Sequence, residues 1–217
     1  MKKILVVAVM LIAFAASVGA QDKPAGLVAK GLKAGLNIAG HRGNDTDEFH
    51  KNLTAFAFGG FITYQFHERV AVQPELLYMM RGAKWESGSD TWKGKYNYLE
   101  VPILFKFMIP TRGTVQPNVY VGPSFGFLLS ATEEWSYDFG GQIDSGSEDV
   151  KDYLKSPDIA LAFGVGSSVA LGQGNLMFEA RYNLGLTKIY ETDPEFPDAG
   201  QPDIKSKVIS FMVGYGF

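Results

Sequence analysis

The 217-residue chain contains no cysteine. That excludes a disulfide framework, a thiolate-held zinc or iron–sulfur centre, a thiol nucleophile and a lipid-modified N-terminal cysteine. It also lacks any excess of positive charge. Its 20 Lys and Arg against 23 Asp and Glu leave a formal charge of −3, with an isoelectric point near 5.6. A chain with no basic excess cannot neutralise a phosphate backbone, so nucleic acid is excluded as a partner. Beyond Gln21 no apolar run reaches the roughly 20 residues that a membrane-spanning helix needs; the longest lies near Ile159 to Gly166. No stretch holds an apolar stripe at helical spacing for more than about a turn, which leaves little for a helical fold.

Glycine and aromatic residues are abundant instead, with 25 Gly, 16 Phe and 10 Tyr, and 46% of the chain is hydrophobic. This balance excludes disorder and collagen-like repeats and favours a β protein. The first residues stand apart. Met1-Lys2-Lys3 is a short basic start, Ile4 to Ala16 is apolar throughout, and Val18-Gly19-Ala20 before Gln21 places small residues at a cleavage site. Residues 1–20 are read as a signal peptide that is removed on export, residues 21–30 as a short periplasmic segment and residues 31–217 as one domain.

In that domain the dominant period is two, the strand signal. Eight strands are expected, near Gly31 to Gly40, Thr54 to Phe66, Val70 to Gly82, Lys95 to Met108, Pro117 to Ser130, Ser156 to Ala170, Asn175 to Thr187 and Lys205 to Phe217. Long polar connections, His41 to Leu53, Ala83 to Gly94, Ala131 to Lys155 and Lys188 to Ile204, alternate with short ones at His67 to Arg69, Ile109 to Gln116 and Leu171 to Gly174. Outer-membrane barrels have this asymmetry, with short periplasmic turns and longer extracellular loops. One strand face is apolar from end to end, as in Leu99, Val101, Ile103, Phe105 and Phe107. The other mixes glycines with charges: Lys33, Glu75, Arg81, Glu100, Lys106, Asp158, Glu179 and Arg181. A secreted lipocalin-like barrel would need the apolar face inside, where so many Phe, Tyr, Leu and Ile leave no room for a ligand. The fold expected is an all-β, eight-stranded antiparallel up-and-down transmembrane barrel with the charged face in its lumen. Pro74, Pro102 and Pro123 are marked as places where the register can slip.

Several segments then match a known pattern. The chain ends in Phe217, with Tyr215, Val213, Phe211 and Ile209 at alternate positions before it. This resembles the terminal-strand signal of bacterial outer-membrane proteins, which their barrel-assembly machinery reads. Gln73-Pro74-Glu75-Leu76-Leu77-Tyr78, Leu99-Glu100-Val101-Pro102-Ile103-Leu104-Phe105-Lys106, Gly122-Pro123 and Glu179-Ala180-Arg181-Tyr182 resemble the PorT-like outer-membrane β-barrel family common in Bacteroidetes. The resemblance spans Gly31 to Phe217 and implies the outer membrane of a Gram-negative bacterium. One family member is tied to a protein-secretion system. No catalytic motif is carried over.

The lumen set holds four acids and four bases. An ion-selective pore needs a ring of one sign, whereas a balanced set in a narrow lumen pairs internally. Glu179 and Arg181 share one strand face, and so do Glu100 and Lys106. Of the three histidines, His67 lies in a short turn, while His41 and His50 flank the first long loop beside Asp45, Asp47 and Glu48. That is where an outer-membrane hydrolase would hold a base, but the loop has no Ser and the chain no Gly-x-Ser-x-Gly. The long connections carry 17 Asp or Glu against 7 Lys or Arg. Carboxylate oxygens suit Ca²⁺, yet neither Asn44 to Glu48 nor Asp144 to Asp149 has the spacing of a calcium loop. No cofactor or metal is expected. The leading reading is a small, closed, non-enzymatic outer-membrane barrel with a structural or loop-mediated binding role. It contacts outer-membrane lipid and, during biogenesis, the assembly machinery. Two alternatives stand beside it: a subunit of a secretion complex, and a lipid- or peptide-modifying enzyme.

Overall fold

Strict alternation of apolar and small or polar residues makes each segment two-faced, and register decides which face meets which solvent. The computed structural model describes residues 26–44, 50–191 and 201–217; the expected signal peptide lies outside them. The strands are β1 (Gly26–Arg42), β2 (His50–His67), β3 (Val70–Ser87), β4 (Asp90–Met108), β5 (Val115–Phe139), β6 (Gln142–Asp149), β7 (Asp158–Leu171), β8 (Gly174–Gly185) and β9 (Lys205–Gly216). Each of the eight strands other than β6 pairs antiparallel with two neighbours in the ring, and β5 pairs with β6 as well. The ring closes because β1 joins β9 as well as β2, and β5 joins both β4 and β7. A closed ring satisfies every backbone group without an edge, as lipid requires. Among the described residues no helix is long and apolar enough to cross a membrane.

The apolar face points outward. On β9, Ile209, Phe211 and Val213 are exposed, as is Phe217 just after it, while Ser206, Val208, Ser210 and Met212 on the other face are buried. Leu32, Leu36, Phe58, Ile62, Leu76, Phe127, Phe163 and Phe178 extend the same band around the ring.

The eight barrel strands match the expectation, but their ends and connections differ from it. β1 starts at Gly26, five residues before the expected Gly31. The connection Ala83 to Gly94 is strand for most of its length, with β3 and β4 paired up to Ser87 and Asp90. In the connection Ala131 to Lys155, β5 continues to Phe139 and returns as β6, turning at Gly140 and Gly141, whose positive φ values of 69° and 98° favour glycine. This ninth strand went unseen because both of its faces are polar, so it carries no apolar period. The prolines do not shift the register: Pro74 faces Ile103 and Leu77 faces Glu100 in one continuous ladder, and Pro102 faces Ser124. A slip there would turn Glu75 or Glu100 into lipid. The shift falls at Asn97/Tyr98, where Leu129 is passed over, and the buried position on β5 moves from Leu128 to Ala131.

Beyond the barrel, β3, β4, β5 and β6 continue as a sheet. Trp85 faces Trp92, and Trp92 faces Trp135, so all three tryptophans stand in one cross-strand row. Such aromatic pairs stabilise a sheet. Val150, Leu154 and Ile189 pack on Tyr96, Tyr98, Leu128 and Ala131 and cover the long-hairpin end of the lumen.

This arrangement predicts that Ile103→Arg, on the outward face near the middle of β4, destabilises the barrel by about 2–4 kcal/mol, read from urea unfolding in liposomes. Undiminished stability of that variant would invert the faces.

Candidate functional site

The lumen-facing charges converge from five of the eight barrel strands, and all eight are buried. They form two networks. Toward the short-turn end, the Lys33 ammonium lies 2.7 Å from both Glu75 and Glu179. Arg181 reaches Glu75 at 2.9 Å and Glu179 at 3.1 Å, and Lys106 reaches Glu179 at 3.2 Å. Gln73 ties the group together, donating to Glu75 at 2.6 Å and accepting from Lys106 at 3.0 Å and from Thr63 at 2.9 Å.

Nearer the long hairpins, Arg81 bridges Glu100 and Asp158, the latter at 2.7 Å. Hydroxyl and amide donors take up the remaining carboxylate oxygens. Ser124 and Asn183 donate to Glu100, each at 2.7 Å, and Thr187 and Ser206 donate to Asp158 at 2.6 and 2.9 Å. Between strands β1 and β9, Ser210 donates to Asn37 at 2.7 Å.

The balance of charge is therefore axial. The first network has three bases to two acids, and the second has one base to two acids. Breaking one member of a buried pair costs about 3–5 kcal/mol, because it strands an uncompensated charge. Aromatic rings lie beside every base: Lys33 is 5.0 Å from the Phe61 ring, Arg81 is 4.6 Å from Tyr98, and Lys106 and Arg181 are each 5.5 Å from Tyr120. Glycines make room for them. A Cβ on Gly126 would come 3.0 Å from Arg81 and 3.2 Å from Tyr98, and one on Gly164 would come 2.7 Å from the Tyr120 hydroxyl.

Some sequence-marked residues meet partners that spacing did not suggest. Glu179 and Arg181 are in contact, but Glu100 and Lys106 belong to different networks. Six residues apart on a strand they stand about 20 Å from each other, so the partners come across the lumen instead. Tyr98, Ser124, Thr187 and Ser206 were missed as network members; Ser124 and Ser206 could have been found from their strand parity with the charges. His41 is not at a loop rim. It lies within β1, buried, its ring stacked on Tyr96 at 6.1 Å. His50 opens β2, and the loop beside it where a hydrolase base was sought includes residues 45–49, outside the described residues. His67 ends β2, where its Nδ1 accepts from the Arg69 amide at 3.4 Å. Asp144 to Asp149 form β6 rather than a loop. Ile209, Phe211, Val213, Tyr215 and Phe217 line the outward face at β9, the strand that closes the ring on β1.

Above the barrel, Glu133 accepts from the Tyr96 hydroxyl at 2.9 Å and from the Trp92 indole at 3.2 Å. It faces Glu148 across the β5–β6 pair. Burial pushes its carboxyl above the ordinary range, and Glu148 adds to the effect, against the two donors. A carboxyl raised in the folded state holds its proton longer than in the unfolded chain, so rising pH removes stability and acidification restores it. The β5–β6 hairpin should thus gain amide-exchange protection as the pH falls through the raised Glu133 carboxyl toward the ordinary glutamate value, and Glu133→Gln should abolish that gain. In the lumen, Arg81→Ala should destabilise the barrel by about 3–5 kcal/mol in liposome unfolding, whereas Lys51→Gln on the surface should cost less than about 1 kcal/mol.

The chain is similar to several solved structures at low identity. Neisserial surface protein A is 15% identical, with 88% of this chain and 99% of that chain covered and a TM-score of 0.47. Ail, the attachment invasion locus protein of Yersinia pestis, is 18% identical over 87% of this chain and 98% of that chain, with a TM-score of 0.43. OprG from Pseudomonas aeruginosa is 15% identical over 92% of this chain and 99% of that chain, also at 0.43. No curated protein matches the chain. The model of the outer membrane protein beta-barrel domain matches residues 19–191, and the chain belongs to that family of the outer membrane.

Proposed function

We propose that this protein is a small, closed, non-enzymatic barrel that serves the outer membrane as structure or presents its long hairpins as a binding surface. The observation that carries this reading is the lumen. Eight charges pair inside it, and Phe61, Leu77, Leu104 and Tyr120 are buried among them. A lumen filled in this way has neither the ring of like charge nor the width that ion conduction needs. The absence of a nucleophile motif and the burial of His41 weigh against the hydrolase alternative.

The finer identity rests on sequence. A cleaved signal peptide at residues 1–20 exports the chain, and the apolar alternation from Ile209 to Phe217 is the signal read by the assembly machinery. The motifs shared with PorT-like barrels of Bacteroidetes favour a second reading, a subunit of a secretion complex. Stoichiometric partners in mild-detergent purification would support it.

Two outcomes follow. The purified wild type should show no stable conductance in planar bilayers, with leak appearing when Glu179 and Arg181 are both cut to Ala; steady ion-selective openings of the wild type would move transport ahead of structure. Deleting Tyr215 to Phe217 should leave the chain periplasmic and degraded, and unchanged heat-modifiable migration from membrane fractions would remove the assembly role.

A further inference from the structure

On the outward side of the sheet above the barrel, Lys51 on β2 stands directly opposite Lys84 on β3, and Lys84 directly opposite Lys93 on β4. Like charges at opposed positions cost a sheet stability. The cost is only partly relieved. Glu86 bridges Lys51 and Lys84 at 2.7 and 2.9 Å, and hydrogen bonds from those two lysines hold its carboxyl at about 2, so it remains charged. Lys95 on the same face is taken by Glu134 at 2.6 Å. Lys93 is exposed, and the residue directly opposite it on β5 is Glu134, whose carboxylate is held by Lys95. Four bases thus meet two acids here, in connections whose overall excess is acidic. Folding gives no reason for such a row.

Position supplies one. The alternation of β4 runs unbroken from the buried Gly94 and Tyr96 to the buried Lys106, so Lys93 and Lys95 share the outward column of Leu99, Val101 and Ile103. Lys84 is four residues beyond Met80 on the outward column of β3, about 13 Å along the strand and less along the membrane normal when the strand is tilted. The headgroup layer is about 5–8 Å thick on each side, and a lysine above it can bend its long stem back toward the phosphates. Any lipid covering Leu99 and Val101 brings its headgroup beside this row. We propose that Lys51, Lys84 and Lys93 bind the phosphate groups of anionic lipids in the surrounding leaflet.

The test uses the full barrel refolded in vesicles of phosphatidylcholine, with or without phosphatidylglycerol, and compares wild type with Lys84→Gln/Lys93→Gln. Each lysine near an anionic surface is worth about a five-fold preference. The wild type should retain phosphatidylglycerol over phosphatidylcholine more strongly than the variant, by about five-fold or more, and the difference should fade in high salt. In phosphatidylcholine alone the variant should be as stable as wild type or more so, since the repulsion is gone. Equal lipid retention by the two proteins, or a variant destabilised in neutral vesicles, would overturn the proposal. Inorganic phosphate protecting the wild type in neutral vesicles as well as the anionic lipid does would assign the row to a soluble anion and overturn the lipid assignment.

Discussion

The rest of this structure depends on charge pairing inside a lumen too narrow to hydrate the charges separately. Eight strands enclose a space just wide enough for side chains. The four bases and four acids placed there, all buried, can be ionised only against each other. Lys33 to Glu75 and Glu179, and Arg81 to Asp158, each link strands that are not neighbours in the ring, while Arg81 to Glu100 joins the adjacent β3 and β4. Pairs of this kind add little stability over an apolar filling, but they penalise any register that separates them. They act as a check on how the ring closes.

That check works with the solvent outside. Through the membrane the outward face of each barrel strand is apolar and all the charges lie on the inward face, so a slip of one residue would expose a carboxylate to lipid and bury a phenylalanine in the network. The ladders accordingly run through Pro74 and Pro102 unchanged. The one shift between β4 and β5 sits at Asn97/Tyr98, near the end of the apolar column, where neither face is penalised in the same way. Past that level the strands are free to serve another purpose. They carry the tryptophan row inward and the lysine row outward on the same sheet.

Most of the barrel was legible because its signal is a period of two repeated over long segments, and residues such as Phe211 and Val213 can sit only on the lipid side. The charged positions were legible for the same reason: Glu75 and Arg181 interrupt the pattern always on one parity. Their partners were not. A shared strand face did not say which charges meet: Glu100 and Lys106 lie on one face of β4, yet each pairs with a different strand, and the rotation of one strand against another is set by the closed ring rather than by any one segment. β6 was hidden for a different reason, since a strand polar on both faces, Gln142 to Asp149, has no alternation to read. His41 was misplaced because β1 runs farther than its apolar stretch, carrying the ring into the packed region beside Tyr96.

The central claim, that lumen charges hold the barrel together as mutual pairs, is tested most directly by a double-mutant cycle on Glu75 and Arg181, which lie 2.9 Å apart on β3 and β8. Unfolding of wild type, Glu75→Gln, Arg181→Met and the double variant in liposomes gives their coupling. The account predicts a coupling above about 1 kcal/mol, with the double variant more stable than at least one single. Additive losses, with a coupling near zero, would contradict it.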